Sequence, residues 1–145
     1  MRTEGAIEIL MVDDNPGDVR LTQEALKSLQ TRHHLNTVGD GIEAIAYLRR
    51  KGLFQRARRP NLILLDLNLP RKDGREVLAE IKADKDLRRI PVIVLTTSSA
   101  EEDILHAYDS HANCYISKPL ELSGLTRVLK AIEEFWFVIV RLPPK

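Results

Sequence analysis

The sequence predicts an α/β fold: five parallel strands in one sheet, with helices covering both faces. Three observations carry that expectation. Short apolar runs alternate along the chain with longer stretches whose apolar residues recur at helical spacing. The run Asn61-Leu-Ile-Leu-Leu-Asp66 is nearly continuously apolar, as a strand covered on both faces should be. No internal repeat, linker or low-complexity segment interrupts the alternation, so one domain uses the whole chain.

The elements follow in order. Ile7-Glu-Ile-Leu-Met-Val12 reads as the first strand and stops at Asp13-Asp14-Asn15-Pro16. Asn15 before Pro16 is the signature of a helix N-cap followed by a first-turn proline. Val19, Leu21, Ala25, Leu26 and Leu29 then give the first helix its apolar stripe. Leu35 to Val38 is a weak second strand, and Gly39-Asp40-Gly41 is a turn. Ile42, Ile45, Ala46 and Leu48 mark a second helix, and Asn61 to Asp66 a third strand. Leu67-Asn68-Leu69-Pro70 cannot continue that strand. Asp73-Gly74 opens a third helix with Val77, Leu78 and Ile81 on one face. A fourth strand, Ile90 to Leu95, closes on Thr96-Thr97-Ser98-Ser99. A helix through Ile104, Leu105 and Tyr108 leads to a fifth strand from Asn113 to Ser117, which Lys118-Pro119 ends. The last helix starts near Leu122 and runs past Ile132.

Composition excludes several classes. A chain of 145 residues buries one hydrophobic core without staples. Lysine plus arginine number 22 against 21 acids, a balance with no field to argue for nucleic acid or membrane. The lone Cys114 cannot form an internal disulfide. The opening Met1-Arg-Thr-Glu-Gly5 lacks the apolar core of a signal peptide. The longest uncharged apolar run, Phe135 to Val140, is too short to span a bilayer. A cytoplasmic protein is the expectation.

In an open parallel sheet, ligands sit beyond the carboxyl ends of the strands, where the strand order reverses. Strand one ends in Asp13 and Asp14, strand three in Asp66, strand four in Thr96 and strand five in Lys118. Carboxylates crowded together repel, and one holds a proton unless a cation intervenes. A hard cation such as Mg²⁺ suits carboxylates, carbonyls and water, and leaves positions for phosphate oxygens. Lys118 adds a second positive charge. Together these are the parts of a phosphoryl-transfer site: metal, nucleophilic carboxylate, cationic clamp and hydroxyl. Any one acid alone reads equally well as a helix cap. The set, at the ends of separate strands, does not.

These residues resemble the receiver-domain family of two-component signalling. Its pattern is an acidic pair after strand one, an Asp ending strand three, Ser or Thr after strand four and Lys-Pro after strand five. Asp13-Asp14, Asp66, Thr96 and Lys118-Pro119 match it. The resemblance covers about residues 7–130, leaving 131–145 as a helix extension and apolar tail. It implies a flavodoxin-like sheet of order 2-1-3-4-5 with five helices. It also implies that Asp66 is the phosphoacceptor. Asp13, Asp14, Asp66 and the backbone carbonyl of Asn68 would hold Mg²⁺. Thr96 would move to the phosphoryl group, Lys118 would pair with Asp66 and then with phosphate oxygens, and Tyr115 would turn inward as an aromatic switch. The Lys118–Pro119 bond would be cis. Within the family, the resemblance is to regulators partnered with bacterial and cyanobacterial phytochromes, on Asp13-Asp-Asn-Pro-Gly-Asp-Val-Arg-Leu21, Asp66-Leu-Asn-Leu-Pro70, Asn113-Cys-Tyr-Ile-Ser-Lys118 and the closing Phe135-Trp136 with Leu142-Pro-Pro144. A phytochrome-type histidine kinase would then be the phosphodonor. One departure is Thr97, bulkier than the small residue many receivers carry there.

The inward stripe of the last helix can use Leu125, Leu129, Ile132 and Trp136. It cannot also bury Phe135, Phe137 and Val138, which point around the cylinder. Leftover aromatic surface marks an interface, so a homodimer through Phe135, Trp136 and Phe137 is expected, the alternative being a tail folded back over its own domain. No output domain is expected after the last helix, and output is expected to pass through a downstream protein or a phosphotransfer domain. His33-His34 are read as a solvated polar turn, and His106, His111 and Cys114 lack zinc-site spacing. Cys114 itself reads as a small buried hydrophobe. Arg49-Arg50-Lys51 with Arg56, Arg58 and Arg59 are read as a solvated basic face.

Three rivals are weighed. A flavin module would need a Gly/Ser/Thr-rich phosphate loop where Asp13-Asp14-Asn15-Pro16 stands. A haloacid-dehalogenase-type phosphatase would need a second Asp two residues after Asp66, where Asn68 stands. Slow loss of its own phosphate is expected, but no turnover of outside substrates. A degenerate receiver acting only by constitutive protein binding keeps the fold and drops the chemistry.

Overall fold

Strand β1 (Ile7–Val12) is buried at all six positions and β3 (Leu62–Asp66) at all five, which is why both are dominated by apolar residues. In the computed structural model, the described residues are 6–96, 114–118 and 120–134. With β2 (His33–Val38), β4 (Val92–Thr96) and β5 (Cys114–Ser117), these strands form one sheet of order β2-β1-β3-β4-β5. Every pairing is parallel, as predicted.

Alternation along the strands splits the core into two layers. Leu10, Val12, Ile63 and Leu65 face α2 (Gly41–Leu48) and α3 (Gly74–Ala83) through Tyr47, Leu48, Val77, Leu78 and Ile81. Ile9, Met11, Leu62 and Leu64 face α1 (Pro16–Leu26) and α4 (Leu122–Ile132) through Ala25, Leu26, Leu125 and Leu129. Each fully buried leucine contributes about 1.5–3 kcal/mol relative to exposure.

Side-chain caps set the helix starts. Asn15 accepts from the amides of Gly17 at 2.8 Å and Asp18 at 3.2 Å, with Pro16 in the first turn. Asp40 accepts from the Glu43 amide at 2.8 Å while the Glu43 carboxylate accepts from the Gly39 amide at 2.9 Å. That reciprocal exchange resembles a capping box. Asp73 caps α3 through the Arg75 amide. At its far end α4 is tied down by buried Glu133, which accepts from the Thr31 amide at 2.7 Å.

Several local readings need correction. His33 and His34 belong to β2, not to a turn. His34 Nδ1 lies 2.7 Å from Oε2 of buried Glu8, its register partner on β1. The inner face of α2 is Ala44, Tyr47 and Leu48, whereas Ile42 is 46% exposed. Strand β3 starts at Leu62 because the Asn61 carboxamide accepts from the Glu8 amide instead of extending the run. Strand β4 starts at Val92 because Leu87–Arg89 form a 3-10 turn and Pro91 has no amide hydrogen to give. Arg59 is not a solvated cation: it binds the Asp86 carboxylate at 2.9 Å and its carbonyl at 2.7 Å. Among the described residues there are four α-helices, and the helix expected through Ile104, Leu105 and Tyr108 lies outside them.

Candidate functional site

The order of strands reverses between β1 and β3, and the carboxyl ends of these two strands carry the acids. Asp13 follows β1 directly, and Asp66 is the last residue of β3. Both are buried, while Asp14 is exposed at the rim. A carboxylate oxygen from each of Asp13, Asp14 and Asp66 lies within 4.8 Å of the other two. Two of these acids are held by the same local device. Asp13 Oδ1 accepts from the Asn15 amide, and Asp66 Oδ1 from the Asn68 amide, both at 2.9 Å. Each first oxygen is thus occupied by the amide two residues on, and each second oxygen turns into the crevice.

Lys118, one residue past β5, fills that crevice. Its ammonium donates to Asp13 Oδ2 at 2.7 Å and to Asp66 Oδ2 at 3.0 Å, with its side chain only 5% exposed. It also forms an ion pair with Asp18, in the first turn of α1. An ammonium has three hydrogens, and three carboxylates surround this one. Burial alone would lower the Lys118 ammonium. Hydrogen bonds to Asp13, Asp18 and Asp66 outweigh it and push the group above the ordinary lysine range. Burial pushes the Asp13 carboxyl up, against the lowering effect of Lys118 and the Asn15 amide. Four carboxylates against one ammonium leave this cluster strongly negative. Its donors are all oxygen, which fits a hard divalent cation.

The backbone under Asp66 is pinned from two sides. A Cβ at Gly74 would fall 2.2 Å from the Asp66 carbonyl oxygen and 2.6 Å from Leu67 Cα. Only glycine lets the start of α3 press this closely against the end of β3. On the outer side, a Cβ at Gly41 would meet the Lys72 carbonyl oxygen at 2.2 Å. Arg71, in the left-handed region at φ 67°, donates to the Asp40 carboxylate at 3.0 Å. The β3–α3 loop therefore lies clamped against α2.

Residues 9–130 match the model of the response regulator receiver domain. The chain belongs to the response regulator receiver family. Over 135 residues this receiver is 52% identical to the response regulator Rcp1 of Synechocystis, covering 93% of this chain and 92% of that one. It resembles the crystal structure of the phosphorylated cyanobacterial phytochrome response regulator RcpA at a TM-score of 0.86 and 57% identity, covering 96% of this chain and 99% of that one. The Mn²⁺-bound form of Rcp1 gives a TM-score of 0.85 at 51% identity, covering 95% and 99% of the two chains. The receiver is accordingly a phosphorylation-dependent signalling protein related to phytochrome response regulators.

In this receiver, Asp13, Asp14, Asp66 and Lys118 meet as the sequence suggested. Asn68 stands beside them, its amide on Asp66. Thr96 closes β4 in register with Ser117, and its side chain lies outside the described residues, as do Thr97 and Pro119. Tyr115 is half-buried on β5 and packs against the core layer under α2 and α3. Phe135, Trp136 and Phe137 lie outside the described residues. Sequence reasoning missed Asp18. The available signal was an acid four residues after Asp14, in the first turn of the helix that Asn15 and Pro16 open.

Proposed function

We propose that this receiver accepts a phosphoryl group on Asp66 from a histidine kinase of the phytochrome type. The observation that carries the reading is Asp66 itself: a buried carboxylate at the end of β3, oriented by the Asn68 amide and partnered by the Lys118 ammonium. A carboxylate oxygen of Asp66 attacks phosphorus as the bond to the donor's histidine nitrogen breaks. The electron pair of the broken N–P bond stays on the imidazole nitrogen, the phosphoryl group brings its own anionic oxygens, and Lys118, which stays protonated, pairs with them. Kinship with RcpA and Rcp1 supports the choice of kinase.

Asp13, Asp14 and Asp66, with the backbone carbonyl of Asn68, would hold Mg²⁺. When bound, the ion neutralises the carboxylates and draws charge from the phosphoryl oxygens. Thr96 would donate its hydroxyl to the phosphoryl group and Tyr115 would turn inward behind it. The surface so altered is read by a downstream protein or a phosphotransfer domain. We place the protein in the cytoplasm, as a homodimer joined through Phe135, Trp136 and Phe137, with no turnover of external substrates. Among the described residues, no helix is long and apolar enough to cross a membrane.

The test is intact mass after incubation with acetyl phosphate, with and without Mg²⁺, beside Asp66→Asn. The expected result is a Mg²⁺-dependent gain of one phosphoryl group that the variant lacks. A folded wild-type chain that gains none, from acetyl phosphate or from a phytochrome-type kinase, would establish the binding-only receiver instead.

A further inference from the structure

Lys118 stands between two acids proposed as metal ligands, yet one of its three partners has no part in that ligand set. Asp18 sits on α1, away from the ends of β1 and β3, and its side chain is 16% exposed. The side chain of the lysine it pairs with is only 5% exposed. We propose that Asp18 is a positioning residue, the fixed anchor that holds Lys118 while Asp13 and Asp66 change partners. The proposal rests on the metal-dependent receiver reading above.

Without metal, the Lys118 ammonium donates to Asp13 and Asp66 and forms an ion pair with Asp18. A cation bound by Asp13 and Asp66 competes with Lys118 for the same carboxylate charge. Transfer of a phosphoryl group then turns Asp66 into an acyl phosphate, whose remaining carbonyl oxygen is neutral. At the first step Lys118 loses its hold on anionic partners, and at the second it must exchange the Asp66 carboxylate for a phosphoryl oxygen. It stays buried throughout, and a buried charge left unpaired is costly. Asp18 is neither in the proposed ligand set nor the phosphoacceptor. It gives the displaced ammonium a partner already in place and leaves a hydrogen free for a phosphoryl oxygen.

Two alternatives explain an acid here without such a role. Asp18 lies in the first turn of α1, where an acid favours the helix dipole. It also adds to the negative field that attracts any cation. Neither effect passes through Lys118, which makes the alternatives separable by a double-mutant cycle.

The experiment measures Mg²⁺ affinity by isothermal titration calorimetry for the full chain, Asp18→Asn, Lys118→Met and the double variant, with circular dichroism to check folding. Asp18→Asn is expected to weaken Mg²⁺ binding about tenfold, the scale of one charged hydrogen bond. In the Lys118→Met background the same change should weaken it less than about twofold, since no ammonium needs an anchor. At saturating Mg²⁺, Asp18→Asn should also slow phosphoryl acceptance from acetyl phosphate. Equal effects in both backgrounds would overturn the anchor and leave Asp18 a helix or field charge. So would wild-type binding that Asp18→Asn leaves untouched. Should Asp18→Asn not fold, Asp18→Glu, which keeps the charge but displaces it, enters the same cycle with the same expectation. Failure of the wild-type chain to bind Mg²⁺ would overturn the metal reading and the anchor with it.

Discussion

Replacing Lys118 by methionine removes the cation shared by buried Asp13 and Asp66, and the structure sets the size of the loss. The Asp13 and Asp66 side chains are 0% and 6% exposed, and Lys118 is the shared partner of their second oxygens. Removing one member of a buried ion pair costs about 3–5 kcal/mol. Asp14 at the exposed rim opens one side of the cluster to water, so the lower end, about 3 kcal/mol, is expected near neutral pH without metal. With a urea dependence of about 1.5 kcal/mol per molar, the unfolding midpoint falls by about 2 M. The loss should depend on pH in a fixed direction. Burial already holds the folded Asp13 carboxyl above its ordinary value of 3.8. Loss of Lys118 removes a lowering influence and raises it further. A carboxyl whose folded pKa exceeds its unfolded one destabilises the fold when ionised. The penalty is therefore full above the folded value and fades as pH falls through it toward the unfolded one. Mg²⁺ should restore part of the loss at neutral pH and bind the variant more tightly than wild type, because its competitor is gone. Urea titrations at about pH 7.5 and about pH 4.5, each with and without Mg²⁺, read all of this. A loss below about 1 kcal/mol at the higher pH, or one that does not shrink on acidification, would refute the reasoning.

Two further outcomes follow from the packing and from the tail. Gly74→Ala places a methyl group 2.2 Å from the Asp66 carbonyl oxygen, with backbone on both sides and no flexible side chain to yield. A loss of about 3 kcal/mol in thermal unfolding, with slower phosphoryl acceptance, is expected; a loss under about 1 kcal/mol would show that α3 shifts freely on β3. The proposed homodimer predicts a dimer in sedimentation velocity that becomes a monomer when Phe135, Trp136 and Phe137 are all replaced by polar residues. A wild-type monomer at high micromolar concentration would remove that proposal.

Much of the fold was legible because the central strands are covered on both faces. Ile7–Val12 has the bounds its apolar run suggested, and Asn15 with Pro16 starts α1 as their chemistry requires. The edge was harder. Strand β2 begins with two histidines because an edge strand has no apolar run to show, and buried Glu8 across from His34 has no counterpart in hydrophobic patterning. On α2, Ile42 looked like core by residue type, but the helix turns Ala44 and Tyr47 inward. The site acids and Lys118 were legible because parallel topology brings strand ends together wherever they stand in sequence. The order β2-β1-β3-β4-β5 was an expectation from family resemblance, since periodicity carries no neighbour information. Asp18 escaped because a single acid in a first helical turn already has a sufficient explanation in the helix dipole. Only the ion pair with Lys118 gives it a second.

The hydrogen bonds from Lys118 reach back 105 residues to Asp13 and 52 to Asp66. On the ribosome, with elongation at about 5–20 residues per second, the acids emerge several seconds before the lysine that neutralises them. Through that interval, pairing β1 with β3 brings Asp13 and Asp66 together without the ammonium that bridges them. Closing so long a loop is also slow in itself. Arrival of Lys118 thus completes the acid–lysine cluster, and α4, which follows it, completes the core layer with Leu125 and Leu129. A nascent or truncated chain that ends before it would lack both the ammonium between Asp13 and Asp66 and the core contributed by Leu125 and Leu129.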